Sequence, residues 1–465
     1  MSVDWDSLQG AIAGEVVLPD QPGFELARKP AAPLLSDVRP LAVVRCASAA
    51  DVAEVVALAR RHGLACAVRS GGHCFGGRSS TEGIVIDVTP MGSVSVSGDA
   101  AIVGAGARLG QIYGSLAQRA LTVAAGCGPT VGIAGLTLGG GIGILGRSRG
   151  LTCDNLRSAS VVLADGRTIN CDEHHDADLF WALRGAGGAQ FGVVTSLTFR
   201  AGPAPPATSF HLTWRPADAV KVIGAWQAWA PAGPDELAAS LLATVDGEIE
   251  RPPVLTLFGA MLGAESVTAE LLGQFAAMAG AEPLSVATRH RPFHDTKRYL
   301  AGAGDDLTAP QHRPGYMFSK SGFFNRRLPA DAITALVDHL TGARMPGQAR
   351  ELDFTPWGGA YNRVPVHATA FAHRDAMFLL KHTAAVDLHA PARERDAARQ
   401  WLARSHASVH RWGSGGVYPN FPDADLTDWP HAYHGANYAR LRRVKARYDP
   451  DGFFRFHQAI PPSVP

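Results

Sequence analysis

Over its first two hundred or so residues the chain alternates short apolar runs with loops dense in glycine. Leu41-Ala42-Val43-Val44-Arg45 reads as a buried strand. Ser48 then opens a helix in the manner of a capping box, with Asp51 in place of the usual Glu. Val52, Val55, Val56 and Ala59 follow at helical spacing, and Gly63 closes the helix. Ala65-Cys66-Ala67-Val68 and Ile84-Val85-Ile86-Asp87-Val88 predict two further strands, so the chain begins with a β-α-β-β unit. A helix is expected after residues 104–110, carrying Ile112, Leu116 and Leu121. Residues 178–195 read as a short helix, a glycine turn and a strand. Pro203, Pro205 and Pro206 mark a boundary. Beyond it, strand-like runs at 210–214 and 377–382 alternate with helical runs such as 330–342. That texture predicts an antiparallel sheet with helices on one face, an α+β arrangement. Residues 437–450 predict a basic helix closed by Pro450, with Leu441, Val444 and Tyr448 along one face.

Length and composition narrow the class. A chain of 465 residues is too long for one core, so two domains are expected. With 46% hydrophobic and 18% charged residues and a net charge of +1, neither nucleic acid nor a charged membrane is a steering partner. No run of about 18 apolar residues predicts a membrane span. The first residues lack the basic and apolar regions of a signal peptide, which points to the cytoplasm. Six cysteines, at 46, 66, 74, 127, 153 and 171, form no C-x-x-C pair, so reduced thiols are expected rather than a zinc site. No internal repeat is present.

The chemistry is concentrated in the glycine loops. Arg69-Ser70-Gly71-Gly72-His73-Cys74-Phe75-Gly76-Gly77 leaves a predicted strand and can turn tightly, so that successive backbone N–H groups form an anion-binding nest around one histidine. Seven glycines fall between 128 and 143. Such a density is expected where the main chain packs against a large flat or anionic cofactor. Gly141-Ile142-Gly143-Ile144-Leu145-Gly146 matches G-x-G-x-x-G, with Asp165 at a plausible spacing for a ribose partner. The context excludes a nicotinamide fingerprint: Gly150 follows too soon for a helix of several turns, and Asp165-Gly166 reads as a hairpin turn.

Arg-Ser-Gly-Gly-His followed by a glycine resembles the flavin loop of the berberine bridge enzyme-like FAD-linked oxidases, which have the vanillyl-alcohol-oxidase fold. Residues 124–155, 178–195 and 437–460 resemble three further blocks of that family. The resemblance implies an FAD-binding domain from residues 1–205 plus 430–465 and a substrate-binding domain from residues 206–429, an antiparallel sheet covered by helices. It implies FAD bonded covalently through its 8α carbon to His73. The implied cofactor contacts are Arg69, Ser70, Gly71, Gly72, His73, Phe75, Gly76 and Gly77 in the first block. In the second they are Gly126, Cys127, Thr130, Val131, Gly132, Gly135, Leu138, Gly139, Gly140, Gly141, Gly143, Leu145 and Asp154. In the third they are Gly188, Gln190, Gly192, Val193 and Val194, and in the tail Asn437 and Tyr438. Two departures stand out. Many members carry a second flavin-bonding cysteine directly before Pro-Thr-Val-Gly, whereas here that position is Gly128 and the cysteine, Cys127, lies one residue earlier. A shift of about 3.8 Å along the chain argues for a single link at His73. The family's Gly-Asn before the phenylalanine of the third block is Ala189-Gln190.

The same resemblance implies oxidation of a hydroxyl- or amine-bearing small molecule (a sugar, an alcohol or a secondary metabolite), with dioxygen reoxidising the flavin. It needs a base for the substrate proton. Tyr418, in Gly415-Gly416-Val417-Tyr418-Pro419-Asn420-Phe421, is the first candidate, with Tyr433 and Tyr438 in reserve. A tyrosine starts near pKa ~10 and needs neighbours that favour its ionised form. Tyr361, Asp353 and His382 contact substrate only if their strands face the flavin. A dehydrogenase using another acceptor and a non-catalytic flavin-fold binding protein stay open, as do the monomeric and homodimeric states.

Overall fold

The computed structural model of the protein describes residues 3–32, 37–307 and 315–463. The helix Ala49–His62 is fixed by the box the sequence predicts, with one change. The Ser48 hydroxyl accepts the Asp51 N–H at 3.2 Å, but the Asp51 carboxylate reaches one residue further back than a capping box requires. It accepts the N–H groups of Ala47 (2.8 Å) and Ala13 (3.2 Å) and the Ser48 hydroxyl (2.8 Å). The helix Ala49–His62 stops at Gly63, left-handed at φ 64°. Val52, Val55, Val56 and Ala59 are fully buried against the strands Ala42–Arg45 and Ile84–Asp87 and their neighbours. With Glu15–Val17 and Cys66–Arg69 these strands form a four-stranded sheet in which 84–87 runs parallel to both 42–45 and 66–69.

A second, five-stranded antiparallel sheet follows, made of Val94–Ser97, Ala100–Gly104, Leu156–Val162, Thr168–Asp172 and Val193–Arg200. Asp165-Gly166 turns the hairpin between 156–162 and 168–172, as expected, with Gly166 at φ 84°. One expectation fails. The helix of this region, Leu109–Ala117, is too short to carry Leu121, because Ala120 adopts a left-handed conformation (φ 52°) and reverses the chain. Leu121 sits instead in a two-residue strand paired with Gly202-Pro203.

The third sheet has seven antiparallel strands in the order 285–291, 207–214, 254–262, 237–245, 349–356, 378–387, 315–324. Leu352, Phe354, Leu380 and Ala384 pack in one core with the helices Ala219–Trp229, Ala330–Thr341 and Ala392–His410. Trp226 anchors it with edge contacts to Phe354 (5.7 Å) and Phe378 (5.8 Å). Side chains alternate along a strand, so Glu351, Asp353 and Thr355 stand on the opposite face, on which Phe293 and Leu300 of the helix Phe293–Leu307 pack with Ala207, Phe258 and Leu262. The tail then returns to the first core. Leu441, Val444 and Tyr448 of the helix Tyr438–Tyr448 are buried there. Lys445 bonds the carbonyls of Gln190 and Phe454 and pairs with Asp449 at 2.6 Å. No helix among the described residues is long and apolar enough to cross a membrane.

Candidate active site

Two glycine loops meet where their backbones touch. A Cβ on Gly71 would run into the backbone of Gly132, and a Cβ on Gly132 into that of Gly71. The Ser70 hydroxyl fixes the first loop by donating to the Ala105 carbonyl at 2.7 Å. Beside this contact lies a cavity of about 550 Å³. Its wall includes Ser70, Gly71, Gly72, His73 and Phe75 from the first loop. Gly126, Cys127, Val131, Gly132, Gly135, Leu138 and Gly143 come from the second, and Gly188, Gly192 and Val194 from the third block. The same cavity reaches the Asp353 face of the seven-stranded sheet, and Asp353, Thr355, Tyr361, Tyr418 and Asn420 line it there. His73 Nε2 is buried there without a hydrogen-bond partner among the described residues. Burial holds the imidazole below its ordinary pKa, against the opposing hydrogen bond to the Thr130 backbone.

The remaining expected contacts lie elsewhere, each for a visible reason. The Arg69 guanidinium turns away to the carbonyls of Ala27 (2.6 Å), Arg28 (2.8 Å) and Ser79 (3.1 Å) and to the Ser80 hydroxyl. Gly76 and Gly77 border a second cavity of about 280 Å³, shared with Arg78 and residues 454–458. Thr130 is exposed, while Leu145 and Val193 are core residues behind the wall. Asp154 is held in a buried ion pair with Arg374 at 2.7 Å. Gln190 accepts the Ile460 N–H at 3.0 Å through its side chain. Asn437 caps carbonyls of Val366 (2.8 Å) and Thr369 (3.2 Å), and Tyr438 packs edge-on to Trp429.

A side chain at Gly139 would collide with the Asn420 amide, at Gly141 with Thr152 and at Gly146 with the Tyr361 hydroxyl, while Gly140 adopts φ 120°. Packing within the protein and backbone conformation thus account for these four. At Gly135 and Gly188 nothing among the described residues stands within 4 Å of an added Cβ, and both line the cavity. The rejected nucleotide fingerprint is confirmed as a decoy, since its helix, Gly146–Arg149, has one turn.

Of the three candidate bases only Tyr418 lines the cavity. The Tyr433 hydroxyl is engaged by the Asp423 N–H (2.8 Å) and Gln458 (3.2 Å), away from the wall. The Tyr418 oxygen accepts the Gly141 N–H at 2.9 Å and the Asn420 Nδ2–H at 3.1 Å, with the Ile142 backbone as a third donor. Burial pushes the phenol above its ordinary pKa, and these donors offset only part of that rise. Next to it, Lys381 Nζ lies 3.3 Å from Glu351 and 3.4 Å from Asp353, and 5.2 Å from the centre of the Phe421 ring. Burial lowers the lysine, but the two carboxylates outweigh it and hold it above its ordinary value. Tyr361 joins the wall, its hydroxyl bonded to Gly143, whereas His382 points to the helix side and bonds Ser405 at 2.9 Å.

Sequence reasoning missed Asn420 as a partner of the phenol, although a Tyr-x-Asn spacing in a turn brings the amide back to the ring. It also missed Lys297. That side chain, 2% exposed, reaches from the helix Phe293–Leu307 to the carbonyls of Ala125 (2.9 Å) and Gly126 (3.4 Å), directly before Cys127. Its signal is the lone basic residue of an apolar helical stripe, Phe293, Lys297 and Leu300. Cys127 itself is a protonated thiol, raised by burial in spite of the lysine.

This donor set fits FAD. An unpartnered buried imidazole, two glycines with free space on the wall and a cavity spanning both sheets suit a large planar group. The comparisons with known proteins agree. Residues 40–172 match a family model described as an FAD binding domain, and residues 417–461 match one described as "Berberine and berberine like". An uncharacterised FAD-linked oxidoreductase of Bacillus subtilis, YgaK, is 34% identical, the match covering 97% of each chain. The chitooligosaccharide oxidase of Gibberella zeae is 29% identical over 91% of this chain and 88% of its own. Among solved structures, the Physcomitrella patens berberine bridge enzyme-like 1 superposes with a TM-score of 0.88 at 26% identity over 99% of this chain and 100% of its own. A xylooligosaccharide oxidase of Myceliophthora thermophila, in complex with xylobiose, does so with 0.87 at 26% over the whole of both. The glycine loops, the Asp353 face of the seven-stranded sheet and the returning tail thus belong to an FAD-linked oxidoreductase of the berberine bridge enzyme-like family.

Proposed function

We propose that the protein is an oxidase that holds FAD through a covalent bond from His73 to the flavin 8α carbon, with no second bond at Cys127. A hydroxyl- or amine-bearing small molecule is oxidised between the flavin and the Asp353 face of the seven-stranded sheet, and dioxygen accepts the electrons. The observation that carries this reading is one cavity bringing His73 and Tyr418 together. Bound FAD would supply the two-electron acceptor. The loops at 70–73 and 126–132 would hold it, and His73 Nε2 has no competing partner among the described residues. Tyr418 Oη takes the substrate proton as general base, with Gly141, Ile142 and Asn420 stabilising the phenolate. Asp353 and Tyr361 border the substrate. Relatives named as oligosaccharide oxidases support a hydroxyl substrate.

We divide the chain into an FAD unit, 1–205 plus 430–465, and a substrate unit, 206–429. Two separate cores support that division, although residues 370 and 417–433 contribute at the seam. Six free thiols support a reducing, cytoplasmic setting.

Acid precipitation followed by intact mass tests the covalent bond: one FAD mass on the wild type, none on His73→Ala. Flavin that washes out of the wild type refutes the bond, and flavin retained by His73→Ala moves it to Cys127. Oxygen uptake with substrate separates an oxidase from a dehydrogenase.

A further inference from the structure

We infer that the molecule oxidised here is a compact, largely apolar alcohol whose one hydroxyl meets Tyr418 Oη in the cavity that it shares with Asp353, and not an oligosaccharide; this rests on the oxidoreductase reading above. The half of the cavity that faces the seven-stranded sheet is walled mainly by carbon: Ile142, Ile144, Phe258, Pro356 and Phe421. Most polar heads around them are already spent inside the protein. The Tyr361 hydroxyl lies on the Gly143 backbone, at 3.4 Å from its nitrogen and 3.2 Å from its oxygen. Asn420 Nδ2 donates to the Leu136 carbonyl at 2.9 Å and to the Tyr418 oxygen. The Arg147 guanidinium is used by the carbonyls of Pro231, Gly233 and Trp357.

Besides Tyr418 Oη, the polar side chains left on this half among the described residues are Ser240, Asp353 and Thr355. The register pairs Leu242 with Asp353, which sets Ser240 on the same sheet face as Asp353 and Thr355. Thr355 Oγ1 donates to Asp353 Oδ1 at 3.3 Å and Lys381 covers Oδ2, so few acceptor positions stay open. Lys381 lies between Asp353 and Glu351 and answers their charge in part. The patch thus offers a few hydrogen-bond positions, enough for one hydroxyl and too few for a ring of them.

A sugar ring carries hydroxyls all round its edge. Each one buried here without a partner costs about 1–3 kcal/mol. An apolar skeleton instead gains about 25 cal/mol for every Å² removed from water against this wall. Both effects act in the same direction, and against the substrates that the oligosaccharide oxidases among the relatives are named for.

The test uses the flavin-loaded enzyme without oxygen and follows bleaching of the flavin and its spectral shift on binding. The probes are benzyl alcohol and cyclohexylmethanol against chitobiose and xylobiose. The apolar alcohols should bleach the flavin at concentrations at least about tenfold below any effect of the disaccharides. Phe258→Ser should raise the alcohol KM about tenfold while kcat stays within about twofold. Bleaching by either disaccharide at equal or lower concentration overturns the inference and leaves the oxidoreductase reading standing. So does a flavin that neither class bleaches or shifts. A protein that purifies without any flavin overturns the reading beneath it.

Discussion

Lys297 is an ammonium group buried without an ion-pair partner among the described residues, and replacing it by methionine should change how stability depends on pH. Its Nζ sits 3.5 Å from the centre of the Tyr113 ring and 5.5 Å from that of Phe293, and bonds the carbonyls of Ala125 and Gly126. The other titratable or charged groups that act on it are Cys127 and Arg149. Burial pushes the amine from its ordinary 10.5 down to about 7. That drop is worth about 5 kcal/mol against the solvated amine. The desolvated ring face of Tyr113 returns about 2 kcal/mol to the charged form, leaving a net cost of about 3 kcal/mol.

The sign follows from proton counting. Below its folded pKa the lysine is charged in both states, so the native state carries the whole cost. As pH rises towards 10.5 the unfolded chain binds more protons than the native one, and stability climbs. Lys297→Met keeps the apolar stem and removes the cost, but takes a donor from the Ala125 carbonyl, a loss of about 1–2 kcal/mol. The Gly126 carbonyl keeps the Tyr113 hydroxyl at 2.5 Å. The variant should thus be more stable than wild type by about 1–2 kcal/mol near pH 6 and less stable by about as much near pH 10. Denaturant midpoints of the flavin-loaded proteins, measured at half-unit pH steps, give the difference curve. A flat curve would refute the claim that this amine is desolvated in the native state.

Three further outcomes are expected. Tyr418→Phe should lower kcat by about 10²–10⁴ with flavin content unchanged; in the wild type, kcat should rise with pH on the alkaline side, since burial raises the phenol and only its ionised form accepts a proton. Gly139→Ala should displace Asn420 and lower kcat, and the double variant with Asn420→Ala should be no slower than Asn420→Ala alone, which rapid kinetics can check. Ala189→Gly should raise the melting temperature, because Ala189 sits at φ 58°, a conformation costing a side chain about 1–2 kcal/mol, part of which glycine forfeits to chain entropy.

Local signals carried far in this sequence. Ser48, Gly63 and the 3.6-residue spacing of Val52, Val55 and Val56 are enough to place the helix Ala49–His62, because capping and burial act within one or two turns. The same holds for the 156–172 hairpin and for the basic tail helix. Leu121 was not legible, because the left-handed turn at Ala120 uses a residue that carries no turn signal. His73 and Tyr418 were legible through their motifs. Their convergence on one cavity was not, since more than 300 residues of chain separate them and only the returning tail and sheet bring them together.

The ambiguity of glycine sets the deeper limit. A missing side chain in the sequence says that something comes close, but not what. Gly71 and Gly132 are small so that two loops can touch, Gly139, Gly141 and Gly146 so that Asn420, Thr152 and Tyr361 can. These contacts still serve the site indirectly. Asn420 packs on Gly139 and donates to the Tyr418 phenol, while Gly141 supplies that phenol with a backbone N–H. The dense glycine run therefore orients the base as much as it makes room for the flavin. A substitution there should disturb proton transfer even when the cofactor stays bound.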